Sequence, residues 1–287
     1  MVRIRATIWL FVLSLAAVVL TALIYSSWNW RSQTSQTEVV LEEPVIVEDS
    51  PSPEVLSQAG LAPQPSENMQ RCLASVRSWS SAFAPPRETA PADSTNYGQR
   101  FLKDIDNNPI TYPLLVVLHE TTNSANSAIN TFQTPHTSDS KQVSYHDLIR
   151  RDGTVVHIVP LEMRAFGAGN SAFEGKDGTE TVKTNAALPP SVNNFAYHIS
   201  FESPPGAGKA ATHSGYTQAQ YQSLAWLIAR TCTPEWRITT HKEIDRSGSR
   251  SDPRSYEPER LLFWLEQYPN WRIVNQEDSV TTTGAAQ

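Results

Sequence analysis

Cysteine is scarce in this chain. Its 287 residues include two, Cys72 and Cys232, too few for a disulfide framework or a cysteine-based metal cluster. One bridge in an oxidising compartment and two buried thiols are both open at this point. Positive charge is also in short supply. Twenty-three Lys and Arg against 29 Asp and Glu leave a formal net charge of -6, which argues against nucleic acid as a partner. No internal repeat is evident. Long apolar runs are absent with one exception. Residues 6–25, ATIWLFVLSLAAVVLTALIY, carry no charge and have the length that crosses a bilayer core as a helix.

Arg3 and Arg5 precede that run, and Trp28 and Trp30 follow it. Its length and the missing small-residue cleavage site favour an uncleaved anchor over a cleaved signal peptide. The arginines keep the N-terminus cytoplasmic, so the rest of the chain is exported and the protein sits in the cytoplasmic membrane, facing the periplasm or cell wall. Residues 31–68 are acidic and proline-rich with almost no aromatics, a composition that reads as a tether rather than a fold. Met69, Cys72, Leu73, Val76 and Trp79 then recur at helical spacing, as a helix packed on the domain or an isolated one.

From Tyr97 the pattern changes. YGQRFL, YPLLVVL, VSYHDLIR, GTVVHIVP and NNFAYHISFES are strand candidates. Arg151-Asp152-Gly153 supplies a hairpin turn between the third and fourth. TQAQYQSLAWLIART predicts a helix with Thr217 and Gln220 as a capping box and Tyr221, Leu224, Ala225 and Ile228 as its apolar face. PERLLFWLEQY predicts a last helix, with Pro258 suited to the first turn. The expectation is an α/β domain, a single mixed sheet flanked by helices. The chain divides into an anchor or signal peptide (1–30), a linker with a short helix (31–96), the folded domain (97–275) and a flexible tail (276–287).

Two strands end on histidine. LLVVLHETTN runs from buried-looking residues into His119 and Glu120, and Ile238-Thr239-Thr240 runs into His241. Asp252 follows eleven residues after His241, in a Gly/Ser-rich loop and just before Pro253. Two imidazoles and one carboxylate match a catalytic zinc set, with three protein ligands and one open position. Taken without relatives, an Asp-Pro turn and ordinary strand-end histidines account for the same residues.

With VVLHETTN, VSYHDLIRRDGTVVHIVP, RAFGAGNS, HSGYTQAQY and ITTHKEIDRSGSRSDP in order, residues 97 to 268 resemble the zinc-dependent N-acetylmuramoyl-L-alanine amidases. That family is shared with phage amidases and peptidoglycan recognition proteins. The resemblance implies Zn2+ at the sheet edge on His119, His241 and Asp252, and hydrolysis of the amide between N-acetylmuramic acid and L-Ala. Peptidoglycan or muropeptides are the implied partners, and the chain is expected to act as a monomer. Inactive recognition proteins typically lack the third ligand, whereas Asp252 is acidic.

Three departures stand out. Phe166-Gly167 occupies a place where the family often has Trp-His. Arg250 replaces a common Lys; being always charged, it can stabilise an oxyanion but not donate a proton. Ser200 stands where bacterial members carry the Glu of a G-I-E strand motif. Strand alternation puts His198, Ser200 and Glu202 on one face, which makes Glu202 the expected general base. Tyr145 matches a tyrosine near the metal in phage members and is expected to donate to the oxyanion. His198, Ser200 and His213 are assigned to the substrate side. Glu120 points away from the metal face and reads as structural, as do His146 and His157. A peptidoglycan-binding module that keeps zinc but turns over weakly is the rival reading.

Overall fold

The computed structural model describes Gly60 and residues 63–64, 66–77 and 83–281. The expected anchor, residues 6–25, most of the tether and Trp79 lie outside these residues. Among the described residues, no helix is long and apolar enough to cross a membrane.

The elements in chain order are α1 (Glu67–Arg77), β1 (Arg87–Thr89), β2 (Tyr97–Gln99), β3 (Leu115–Glu120), α2 (Ala125–Gln133), β4 (Asp147–Ile149), β5 (Val155–His157), β6 (Met163–Ala165), β7 (Phe173–Gly175), β8 (Gly178–Glu180), β9 (Ala196–Phe201), α3 (Gln218–Thr231), β10 (Ile238–Thr240), α4 (His241–Ile244), α5 (Pro258–Leu265) and α6 (Pro269–Thr281). Six strands form the main sheet in the order β1-β5-β4-β9-β3-β10. β4 and β5 are antiparallel, while β4, β9, β3 and β10 run parallel. Two further ribbons, β2-β6 and β7-β8, lie beside it.

The hairpin forms where its sequence asks for it. Gly153 turns with φ +92°, a conformation natural to glycine, and the Asp152 carboxylate accepts the Thr154 N–H at 2.9 Å. β3 is buried along its whole length, as a central strand covered on both faces must be. Val116 and Leu118 pack with α3 and α5 through Leu224, Ile228 and Leu261. Leu115 and Val117 face the other way, toward Val192, Phe195 and Ile244. α3 carries the expected capping box, with Gln220 N–H donated to Thr217 Oγ1 at 3.1 Å.

Four features differ from the expectation. The folded unit begins before Tyr97, because Arg87–Thr89, inside the stretch read as linker, is an edge strand paired with β5. Its three residues are all exposed, so no apolar alternation marks it. Tyr97–Gln99 belongs to the β2-β6 ribbon, not to the main sheet. α2 was not expected; it opens on the Ser124 cap, which accepts from Ser127 N–H. The tail does not begin at 276, since α6 continues to Thr281 with Trp271 and Val274 buried. The choice left open for α1 is also decided. Cys72 is bridged to Cys232 at the end of α3, and Leu73 packs with Val274 of α6.

Candidate metal site

β3, β9 and β10 run parallel, so their C-terminal ends open on one edge, where ligands collect in α/β sheets. His119 is the fifth residue of β3 and shares its face with Leu115 and Val117. His241 follows β10 directly, as the first residue of α4. Thr240 caps that helix, and Glu243 returns a bond to the Thr240 N–H at 3.0 Å. Asp252 arrives on the loop beyond. The Asp245 carboxylate gathers that loop by accepting the N–H groups of Ser247, Ser249 and Arg250. The Lys242 N–H then donates to Asp252 O at 2.9 Å.

Three ligand atoms converge there. His119 Nδ1 lies 3.2 Å from His241 Nδ1 and 3.3 Å from Asp252 Oδ2. His241 Nδ1 lies 3.1 Å from the same oxygen. Two imidazole nitrogens facing each other beside a carboxylate are an N,N,O donor set able to hold a metal ion. The histidines are buried, and the Asp252 side chain is the most open of the three, 18% exposed.

Electrostatics suit the arrangement. Burial, set against the bond to Asp252, lowers His119 to a pKa of about 4, so its ring is neutral as a ligand must be. Burial alone would raise the Asp252 carboxyl. The adjoining His119 and His241 imidazoles outweigh it and hold the group far below the usual carboxylate range. Tyr145 stacks on His119 with ring centroids 4.3 Å apart. Burial, then the Asp252 charge, raise its phenol well above the ordinary value, so it remains a proton donor at neutral pH. Arg250 is exposed on the 245–250 loop, and its charge bears on both His119 and Tyr145.

The other assignments change. Glu202 is on the expected side of the sheet, but its carboxylate accepts the Ala125 N–H at 2.8 Å and the Arg151 N–H at 3.0 Å. It anchors the start of α2 to the hairpin turn, where a negative charge suits the helix dipole. Ser200 is fully buried beside His119 in the strand register. His198 is fully buried too, behind His119 rather than on the substrate side; its Nδ1 lies 2.9 Å from His119 Nε2. His213 is likewise not turned to substrate. Its Nδ1 accepts the Gly215 N–H, and its Nε2 donates to Glu120 Oε2 at 3.0 Å.

Glu120, pointing to the α3 side as expected, is the centre of a buried network. It accepts from Ser203 Oγ at 2.9 Å, Tyr216 OH at 3.2 Å and the Arg254 N–H at 3.1 Å, and also pairs with the Arg254 guanidinium. Strand β3 thus grips the chain two residues beyond Asp252. Arg254 and Asn193, which completes the surroundings of His198, were not foreseen. Arg254 stands next to the Asp-Pro pair, and Asn193 precedes its strand; neither carries a local sequence signal of its partner. Of the histidines read as ordinary sheet residues, His146 accepts the His198 N–H at 2.9 Å and His157 pairs with Asp147.

Residues 107–255, more than half of the chain, match the family described as N-acetylmuramoyl-L-alanine amidase. The 1,6-anhydro-N-acetylmuramyl-L-alanine amidase AmpD of Salmonella typhimurium is 38% identical over 123 residues, 39% of this chain and 55% of that protein. AmpD of Escherichia coli K12 is 38% identical over 84 residues, 29% of this chain and 35% of that protein. The chain therefore spans about half the length, or less, of these curated relatives. Among solved structures, the solution structure of Citrobacter freundii AmpD is 22% identical, with a TM-score of 0.41, covering 66% of this chain and 95% of that one. A crystal structure of a selenomethionine AmpD derivative is 25% identical, with a TM-score of 0.43, covering 64% and 96%.

Proposed function

Because the chain belongs to the N-acetylmuramoyl-L-alanine amidase family, we propose that it is a zinc hydrolase of peptidoglycan. It cuts the amide between N-acetylmuramic acid and the first L-Ala of the stem peptide. The observation that carries this reading is the meeting of His119 Nδ1, His241 Nδ1 and Asp252 Oδ2 within 3.3 Å of one another. When bound, zinc would supply a Lewis acid for the scissile carbonyl and a nucleophile at neutral pH.

The chain's own residues supply the rest. Asp252 stays ionised, and His119 stays neutral. The Tyr145 phenol, stacked on a ligand ring, donates to the oxygen that gains charge as the carbonyl is attacked. Arg250 adds positive charge from the exposed loop. Exposure of Asp252 and Arg250 marks the side from which a muropeptide enters.

Two observations favour a second reading, a zinc-containing peptidoglycan-binding module with weak turnover. Ser200 replaces the expected glutamate, and both oxygens of Glu202 are occupied by backbone amides.

The deciding experiment incubates the full chain with muropeptides, with and without a 1,6-anhydro end, and reads products by mass. Free stem peptide released with zinc and abolished by a chelator supports the amidase. Muropeptide binding without release selects the module. Neither binding nor release refutes both.

Export is part of the proposal. The uncharged run at 6–25 behind Arg3 and Arg5 supports a single-pass anchor in the cytoplasmic membrane. The Cys72–Cys232 bridge supports an oxidising compartment such as the periplasm or cell wall.

A further inference from the structure

His198 lies in a chain of bonds that admits one consistent placement of protons. For His119 Nδ1 to offer its lone pair to a metal, the ring proton must be on Nε2. That atom is 2.9 Å from His198 Nδ1, which therefore accepts. The His198 proton is then on Nε2, 3.0 Å from Asn193 Oδ1. The same oxygen accepts the Ala168 N–H at 2.9 Å, which fixes the amide's orientation. His146 stacks on His198 with an interplanar angle of 11° and accepts the His198 backbone N–H. The three histidines linked in this way, 119, 146 and 198, are all at most 1% exposed. None can rotate into water.

Gly167 is the other half of the arrangement. A Cβ at that position would lie 2.5 Å from both Cγ and Nδ1 of the His198 ring, closer than real atoms approach. A side chain at 167 and an imidazole at 198 therefore exclude each other. In the patterns that the resemblance sets beside this chain, histidine falls at 167, and the glycine of G-I-E falls at 198. Both positions differ here, in opposite senses.

We infer that His198 is a positioning residue for His119, holding its tautomer and ring angle for metal binding, and that Gly167 exists to make room for it. Outer partners of metal-bound histidines act in this way, and their loss lowers metal affinity by about 10- to 100-fold. The inference rests on the metal reading above.

Its test measures zinc affinity of the full chain by chelator competition, with the Co2+ absorption spectrum as a second readout. His198→Asn keeps an acceptor at the Nδ1 position and is expected to hold zinc within a few-fold of the parent. His198→Leu keeps volume but no acceptor and is expected to lose about 10- to 100-fold, with an altered Co2+ spectrum. Gly167→Ala is expected to weaken binding in the parent, but to add nothing in the His198→Gly background. Circular dichroism identifies variants that do not fold. Equal affinity of folded Asn and Leu variants overturns the inference alone, as does a Gly167→Ala penalty that persists without His198. A parent chain that takes up no zinc overturns the metal reading, and the inference with it.

Discussion

Two glutamates one strand apart illustrate how position and role separate at the scale of the residue. Glu120 adjoins the proposed metal ligand His119 in sequence, yet strand alternation turns it to the opposite face, into the Arg254 network. Glu202 lies on the metal face, yet its carboxylate is consumed by two backbone amides. Alternation was legible in the sequence; the location of the nearest donors was not, because α2 and the hairpin turn meet Glu202 only in the fold. Glu202→Gln is therefore expected to leave zinc content and turnover near the parent's. It should destabilise the domain by about 1–2 kcal/mol, the scale of one charge-assisted bond to a buried donor, as read by urea denaturation. Turnover lowered by orders of magnitude with stability unchanged would return Glu202 to the role of base. Acid sensitivity belongs to the same scale. Burial first, with the neighbouring charges as a further cause, lowers His119 to about 4 and holds His146 and His198 well below the ordinary histidine value. Between about pH 4 and 6.5 the His119 ring is neutral when folded and protonated when unfolded, and His146 and His198 act in the same direction. The unfolded chain then binds more protons, so stability rises with pH across that window and is lost on acidification. Thermal unfolding of the chelated protein should show Tm climbing from pH 4 to 6.5; a flat profile would contradict the buried, neutral rings.

Elements with a strong internal pattern were readable, and those without one were not. The Thr217–Gln220 capping box and the four apolar residues of α3 are local features, and the helix forms where they place it. β1 carries no such mark. Three exposed residues, Arg-Glu-Thr, become a strand only because β5 offers an open edge. α6 opens on Pro269 in a polar stretch, and its helical state depends on packing Trp271 and Val274 against the domain. α1 is held in the same neighbourhood by the Cys72–Cys232 bridge, which closes a sequence separation of 160 residues. A cross-link of that span restricts the unfolded chain strongly. Its loss by Cys72→Ser with Cys232→Ser is expected to destabilise by about 2–5 kcal/mol. Limited proteolysis should then remove α1 while β3 and α3 stay protected. Equal Tm values for the oxidised and double-serine proteins would show that α1 is held by packing alone.

For the whole molecule, the proposal of an exported, membrane-held chain rests on the uncharged 6–25 run behind Arg3 and Arg5 and on the tether that follows. The full-length protein should fractionate with membranes and keep Arg3 and Arg5; N-terminal sequencing that starts within the tether would show a cleaved signal peptide instead. What the sequence alone determined is whatever depends on local order: strand and helix periodicity, the hairpin turn, the caps, and the types of residue that can hold a metal. Family motifs added which of those residues belong together. Only the tertiary structure decided that His119 Nδ1 rather than Nε2 meets His241 and Asp252. It likewise decided that His198 stands behind the ligand, that Gly167 yields space to it, and that Glu202 is spent on a helix cap. The physical reason is the same in each case. Such roles are set by distances of about 3 Å between side chains far apart in sequence, and by which buried donors are left needing an acceptor. Periodicity along one strand carries no information about either.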